Sequence, residues 1–182
     1  MITYKPSSRL GLLNEENFTS DPTSRGWAVT SSGTGASSFG ADGAKITCTS
    51  LESLTLILEN STTKLSNFIS FTLSGGGNNY AIDIYWKCYI NDILVGISPI
   101  TSVTPNNTGL YGSFYLFKNK PTDWKQNNMF VVIKSNNTGE VSTNFASINP
   151  GISVANKIKL ELNVTCGNGD QGNLSLTNLK WI

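Results

Sequence analysis

Histidine is absent from this sequence of 182 residues. Imidazole is the commonest general base near neutral pH and a usual ligand of catalytic zinc. Its absence therefore excludes Ser–His and Cys–His nucleophilic sites and most zinc enzymes. The sequence also has no glycine-rich motif of the kind that binds a phosphate or a dinucleotide ahead of a helix. We expect no catalytic residue, and no metal or cofactor other than the structural calcium ion considered below, so the chain is predicted not to be an enzyme.

Charged side chains are scarce. They make up 14% of the residues, against about 25% in a typical soluble domain. The 13 basic and 12 acidic residues give a net charge of +1 and form no basic patch, so we expect no nucleic-acid partner. Serine, threonine and asparagine are abundant instead, at 22, 19 and 21 residues. A surface of hydroxyls and amides favours a virion surface or, alternatively, an extracellular location.

Long apolar runs are missing as well. No run approaches the ~20 residues that span a bilayer, and the segment from Met1 to Leu13 has no apolar core of signal-peptide length. We therefore expect no membrane insertion. The three cysteines, Cys48, Cys88 and Cys166, are widely spaced and form no Cys-x-x-Cys pair. They are either one disulfide plus a free thiol or three buried thiols, and the second interpretation is favoured.

Apolar and polar residues alternate with a period of two, whereas helical periodicity is almost absent. The alternation is clearest in 54–59, 80–90 and 157–164, as in half-buried strands. Further strands are predicted at 43–49, 66–73, 93–97, 110–118, 128–135, 141–148 and 173–182. Turn residues separate them, including Asp42-Gly43 and the glycine run 75–77. The sequence predicts an all-β protein, an antiparallel two-sheet β-sandwich of the jelly-roll type with Trp27, Trp86 and Trp181 in its core.

The first seventeen residues differ from the rest of the chain. A cluster of Arg9, Leu10, Leu12 and Leu13 precedes any regular alternation. Residues 1–17 are therefore an edge strand, a loose tail, or an extended N-terminal arm that packs its leucines on a neighbouring subunit. Residues 18–182 are predicted to form one sandwich domain.

Several aromatic residues are candidates for a ligand or subunit surface. Tyr85 and Tyr89 lie on the polar face of one predicted strand, and Tyr111 and Tyr115 share a face of another. Trp124 lies in a polar segment and is the best candidate for an exposed tryptophan. Such tyrosines can stack on sugar rings, form a subunit contact, or belong to a sheet that is covered on both sides. These three alternatives stay open.

Two stretches resemble carbohydrate-binding modules of the galactose-binding-like jelly-roll type. The first comprises Asn17-Phe18-Thr19, Gly26-Trp27-Ala28-Val29 and Asp42-Gly43-Ala44-Lys45-Ile46. The second comprises Lys159-Leu160-Glu161-Leu162 and the segment 172–179. The same sandwich is used in bacteriophage decoration, fibre and tail proteins. Because jelly-roll sugar binders often hold a structural calcium ion, the resemblance makes Asp42 and Asp170 candidate calcium ligands.

Three functions are compatible with these observations. The first is a non-enzymatic structural protein of a bacteriophage particle that assembles as a homo-oligomer or on a capsid or tail protein. The alternative is a carbohydrate-binding or host-adhesion module that stacks a cell-surface glycan on surface aromatics. The third is a glycan-active enzyme, which would need two carboxylates held about 5–9 Å apart.

Overall fold

The computed structural model describes residues 13–61, 68–78, 82–97, 101–103, 110–118, 122, 128–134, 140–143 and 157–182. Within these residues the chain forms one short 3-10 helix, Pro22–Arg25, and fourteen strands. The strands are β1 (Asn14–Glu16), β2 (Trp27–Gly33), β3 (Ala36–Gly40), β4 (Gly43–Thr49), β5 (Ser53–Asn60), β6 (Phe68–Asn78), β7 (Ile82–Ile90), β8 (Ile93–Ile97), β9 (Thr101–Val103), β10 (Leu110–Phe117), β11 (Asn128–Lys134), β12 (Glu140–Thr143), β13 (Ile158–Cys166) and β14 (Gln171–Trp181).

The strands form two antiparallel sheets, which confirms the predicted fold class. Sheet A has the order β12-β11-β10-β6-β14-β4-β3, and sheet B has the order β2-β5-β13-β7-β8. Strand β1 follows β4 along one edge of β14, and β9 follows β8 along one edge of β7. No helix in the described part of the chain is long and apolar enough to cross a membrane.

The core lies between the two sheets and is built from alternate residues of strands such as β4, β5, β7 and β10. Its centre is an aromatic cluster of Phe71 and Phe114 from sheet A and Trp86 from sheet B, with ring centroids 5.0–5.2 Å apart. Trp27 and Trp181 are also buried, with 3% and 8% of their surface exposed. The three tryptophans predicted to be internal are therefore in the core, and the burial of Trp86 confirms the alternation from which it was assigned.

The glycine run 75–77 lies inside strand β6, so the prediction of a turn there is wrong. Gly75 pairs with Leu110 on one side and Leu174 on the other. A Cβ atom at Gly75 would lie 2.8 Å from the Asn173 carbonyl oxygen and 3.2 Å from Leu174 Cδ1. Glycine is needed here because the neighbouring strand approaches closely, and its presence does not mark a chain reversal.

The N-terminal strand is an edge strand of sheet A. Asn14, Glu15 and Glu16 pair with β14, and Leu13 just before them is 52% exposed. The other residues of the predicted arm, Arg9, Leu10 and Leu12, lie outside the described residues. The arm interpretation therefore stays a prediction.

A buried carboxylate ties this strand to the 3-10 helix. Glu16 is 7% exposed, and its side chain accepts hydrogen bonds from the Phe18 backbone N–H at 2.7 Å and from Arg25 Nε at 2.7 Å and Nη2 at 3.0 Å. Arg25 also donates to the hydroxyl and the carbonyl of Ser20. The guanidinium therefore closes the loop between β1 and β2 around a charge that is shielded from water.

All three cysteines are free and buried, as the favoured interpretation of the sequence predicts. Cys48 Sγ donates to the Val164 carbonyl at 3.4 Å, and Cys166 Sγ donates to the Cys48 carbonyl at 3.3 Å. Burial raises the pKa of the Cys48 thiol to about 11, and the nearby Cys166 adds to the shift. Burial also raises the pKa values of Cys88 and Cys166.

We predict that Arg25→Met lowers the free energy of unfolding by about 2 kcal/mol, because it leaves the Glu16 carboxylate buried with one backbone donor. Lys180→Met is the matched control, since it breaks the more exposed Lys180–Glu15 pair, whose N–O distance is 3.6 Å. The control should cost less than about 1 kcal/mol. Denaturant unfolding measures both variants, and equal losses would contradict a special role for Arg25.

We also predict that a thiol reagent at pH 8 labels none of the three cysteines in the folded protein and labels all three after denaturation. Raised by burial, the pKa of Cys48 makes its neutral thiol contribute to the free energy of unfolding. This contribution is fully present below pH 9.0 and is lost as the pH rises through about 11.

Thiol labelling followed by mass spectrometry identifies each labelled cysteine. Rapid labelling of a native cysteine would show that its strand opens locally.

Candidate functional site

The candidate tyrosines do not form one surface. Tyr85 and Tyr89 point away from the core on sheet B, whereas Tyr115 does so on sheet A, on the opposite side of the sandwich. Tyr111 also belongs to sheet A, where it pairs with Ser74. Trp124 lies outside the described residues. A single aromatic platform is therefore excluded for the four tyrosines, and the role of Trp124 stays a prediction.

The outer face of sheet B carries interleaved charges that pair with one another. Lys87 Nζ lies 2.9 Å from Glu161 Oε1 on the adjacent strand, and this hydrogen bond raises the pKa of Lys87. Lys157 Nζ lies 3.1 Å from both Glu59 Oε1 and Asp92 Oδ1. These partners satisfy each other's charge and leave little for a ligand to gain.

The two tyrosines of this face are covered by lysines of their own chain. Lys159 Nζ lies 4.1 Å from the centroid of the Tyr89 ring, and Lys87 Nζ lies 5.0 Å from that of Tyr85. An ammonium group over a tyrosine ring is held by a cation–π attraction. A sugar would have to displace these lysines before it could stack on either ring.

Glu59 and Glu161 of sheet B are the two carboxylates to consider for glycoside hydrolysis. Glu59 pairs with Lys159, two residues before Glu161, so the two carboxylate residues are diagonal neighbours roughly 7–8 Å apart. Inverting glycosidases need their two carboxyl groups about 6.5–9.5 Å apart, so this is the pair of sheet B to consider as an acid and a base. Both carboxylates are, however, engaged with lysines on an open sheet face. The pair therefore lacks the free acid and base that flank a bound sugar in such enzymes.

The outer face of sheet A carries a groove of about 500 Å³. Strands β4, β6 and β14 form it, and every lining residue is uncharged at neutral pH. The lining residues are Thr47, Cys48, Thr49, Ser74, Gly75, Gly76, Gly77, Gln171, Gly172 and Asn173. We call this feature the sheet A groove.

The groove exists because one row of the sheet has no side chain at its β6 position. Gly76, Asn173 and Thr47 lie side by side on β6, β14 and β4. Ser74 lies on the outer face two residues before Gly76, and its pairing partner on β10 is Tyr111. The register thus places one of the predicted tyrosines at the border of the groove.

The groove offers hydrogen-bonding groups that the protein itself does not use. Within the described part of the chain, the side-chain amides of Gln171 and Asn173 make no hydrogen bond to another residue. Each amide can donate two hydrogen bonds and accept through its oxygen. This neutral lining with free donors and acceptors distinguishes the sheet A groove from the charge-paired face of sheet B, and sequence reasoning did not find it.

The two candidate calcium ligands lie apart. Asp42 is in the turn before β4 and forms an ion pair with Lys45 at 2.9 Å, whereas Asp170 is buried next to the opposite end of β4. The length of β4 separates them by about 20 Å. Among the described residues no group of three or more His, Cys, Asp or Glu side chains could hold a metal ion. The structure therefore does not bring Asp42 and Asp170 together around one ion.

No protein-family model matches the chain, and no curated protein matches it in sequence. Solved structures resemble it in fold. Lectin II from Ulex europaeus gives a TM-score of 0.53 at 8% identity, covering 94% of this chain and 99% of the lectin. The complex of lectin UEA-II with galactose gives the same values. TmCBM61 in complex with β-1,4-galactotriose gives a TM-score of 0.38 at 13% identity, covering 90% of this chain and 99% of that module.

These likenesses concern the fold alone, because every identity is low. The two lectin structures share the two-sheet sandwich with this chain, which agrees with the sandwich fold that the resemblance implies. The TM-score of TmCBM61 is too low to carry an argument.

We predict that removal of divalent cations with EDTA leaves the melting temperature unchanged, because Asp42 is already neutralised by Lys45 and lies far from Asp170. Differential scanning fluorimetry with and without added calcium measures this. A calcium-dependent rise in melting temperature that Asp170→Asn removes, and Asp42→Asn does not, would locate an ion at the β13–β14 turn.

Proposed function

We propose that this chain is a carbohydrate-binding protein without catalytic activity, and that it binds a neutral glycan in the sheet A groove. The observation that carries the proposal is the uncharged lining of the groove, in which the amides of Gln171 and Asn173 have no partner among the described residues. A neutral sugar presents hydroxyl groups that both donate and accept hydrogen bonds, so it matches these amides.

The size and charge of the groove limit the ligand class. Its volume of about 500 Å³ falls within the roughly 300–1,000 Å³ of small-molecule sites. The lining has no lysine or arginine to pair with a phosphate or a carboxylate. Each hydrogen bond contributes only about 1 kcal/mol net, so tight binding requires several of them at once. An uncharged, hydroxyl-rich ligand fits these conditions best.

The structural neighbours support a carbohydrate-binding role more than the virion role that composition favoured. The neighbours with the higher TM-scores are lectin structures, one of them complexed with galactose. A structure of infectious bursal disease virus gives a TM-score of 0.27, which carries no argument. Assembly on a capsid or tail, the homo-oligomer and the virion or extracellular location remain predictions from the sequence.

Binding without turnover is the preferred form of this function. The Crh5 transglycosylase in complex with NAG gives a TM-score of 0.49. This score is too low to support catalytic activity in this chain. On this chain Glu59 and Glu161 are both occupied by lysines. A glycan-active enzyme therefore has no specific observation in its favour.

A glycan array that includes neutral and anionic polysaccharides tests the proposal. We expect binding to a neutral glycan, and we expect Asn173→Ala and Gln171→Ala each to weaken it about fivefold, because each removes about 1 kcal/mol of hydrogen bonding. Both variants should keep the wild-type melting temperature. Thr30→Ala, an exposed hydroxyl on the outer face of sheet B, is the matched control and should bind normally.

The same array separates the other candidate sites. If the Tyr85→Ala or Tyr89→Ala variant loses glycan binding while the Asn173→Ala variant binds normally, the glycan site lies on sheet B. Loss in Trp124→Ala alone would move it to that segment. Absence of binding to any glycan would refute the proposed function.

A further inference from the structure

The outer face of sheet A continues beyond the groove along strand β6 to a pair of aromatic rings. Phe68 and Phe117 are paired across β6 and β10, their ring centroids are 4.9 Å apart, and both are partly exposed. Their neighbours Ile69 and Leu116 are buried, so both rings point away from the core. Eight residues separate Phe68 from Gly76 in the groove, which corresponds to about 26 Å along the strand.

Small hydroxyl side chains cover the surface between the groove and the rings. Ser70, Thr72 and Ser74 lie on the outer face of β6. Thr72 and Ser74 are partly exposed, whereas Ser70, and Ser175 on the adjacent β14, are largely buried at 9% and 5% exposed. On the adjacent strands, Ser113 lies beside Thr72 with their hydroxyl oxygens 3.3 Å apart, and Ser175 lies beside Ser74. We call these five residues the hydroxyl track.

The track itself is uncharged. Among the described residues, two lysines flank the track on this face: Lys45 lies on β4, and Lys180 lies beside Ser70 on β14. Each already forms an ion pair, with Asp42 at 2.9 Å and with Glu15 at 3.6 Å. Beside Ser70 this face also carries Tyr115 on β10 and Lys180 on β14. A ligand that lies along β6 therefore meets hydroxyls, backbone and aromatic rings, and the lysine beside its path is already paired with Glu15.

We propose that the groove, the hydroxyl track and the Phe68–Phe117 pair form one extended site for an internal stretch of a linear, neutral polysaccharide. This inference rests on the proposed function and names its ligand class. One sugar hydrogen-bonds to Gln171 and Asn173 in the groove, and another places its apolar C–H face on the aromatic pair.

The dimensions require a chain of several sugars. A single sugar ring contacts one end of a surface about 26 Å long and gains nothing from the other end. The short side chains of the track leave room for the intervening sugars, which bind its hydroxyls directly or through water. Affinity should therefore increase with chain length until both ends are occupied.

Titration calorimetry with ladders of β-1,4-linked galactose, mannose, glucose and xylose, from monosaccharide to hexasaccharide, tests the extended site. For the sugar that binds, we expect the hexasaccharide to bind at least about tenfold more tightly than the disaccharide. Phe117→Ala should remove most of that gain and leave the disaccharide affinity unchanged, whereas Asn173→Ala should weaken both ligands.

Two further variants keep the test decisive. The Phe68→Leu variant retains apolar volume but removes one aromatic ring. It should therefore reduce the affinity for the hexasaccharide without loss of stability. It remains informative if the Phe117→Ala variant does not fold. Tyr89→Ala removes a partly buried ring from sheet B and should bind both ligands normally.

The outcomes distinguish the extended site from the proposed function. Equal affinity for short and long chains, or a normal hexasaccharide affinity in Phe68→Leu and Phe117→Ala, would overturn the extended site while the groove remains a sugar-binding site. Binding of branched or terminal glycans on the array, with none of the linear ladders bound, would have the same meaning. Absence of any saccharide binding would overturn both proposals.

Discussion

The burial of alternate side chains between two sheets is the interaction on which the rest of this structure depends. Phe71, Phe114 and Trp86 meet at its centre and join sheet A to sheet B through edge-to-face and tilted contacts. Because side chains alternate along a strand, burial of this set directs the intervening residues outward. A shift of one residue in any strand would exchange the two sets, so the core also determines which residues are available for binding.

The two outer faces differ because their side chains differ in reach. Lysine and glutamate on sheet B are long enough to bridge adjacent strands, and Lys87 and Glu161 do so at 2.9 Å. Serine, threonine and asparagine on sheet A are short compared with the ~5 Å spacing between neighbouring strands. Thr72 and Ser113 still meet, with their hydroxyl oxygens 3.3 Å apart, but the amide of Asn173 has no partner among the described residues. Sheet A keeps hydrogen-bonding capacity for a ligand, whereas sheet B uses that capacity within the chain.

The scarcity of charge and the absence of histidine have a related consequence for chemistry. The lining of the sheet A groove can recognise a neutral ligand, but it has no group that transfers a proton near neutral pH. The carboxylate pair Glu59 and Glu161, which could act without histidine, lies on the other face, and both residues are paired with lysines.

Composition and alternation by themselves determined that this chain is an all-β sandwich, that Trp27, Trp86 and Trp181 lie inside it, and that imidazole chemistry is absent. Alternation reports the face of a residue relative to its own strand, so it could not show that Tyr85 and Tyr115 lie on opposite sheets. Nor could it show that the glycine run 75–77 belongs to a strand. Only strand pairing brings Thr47, Gly76 and Asn173 into one row, since these residues are far apart in the chain and their proximity depends on long-range hydrogen bonding between strands.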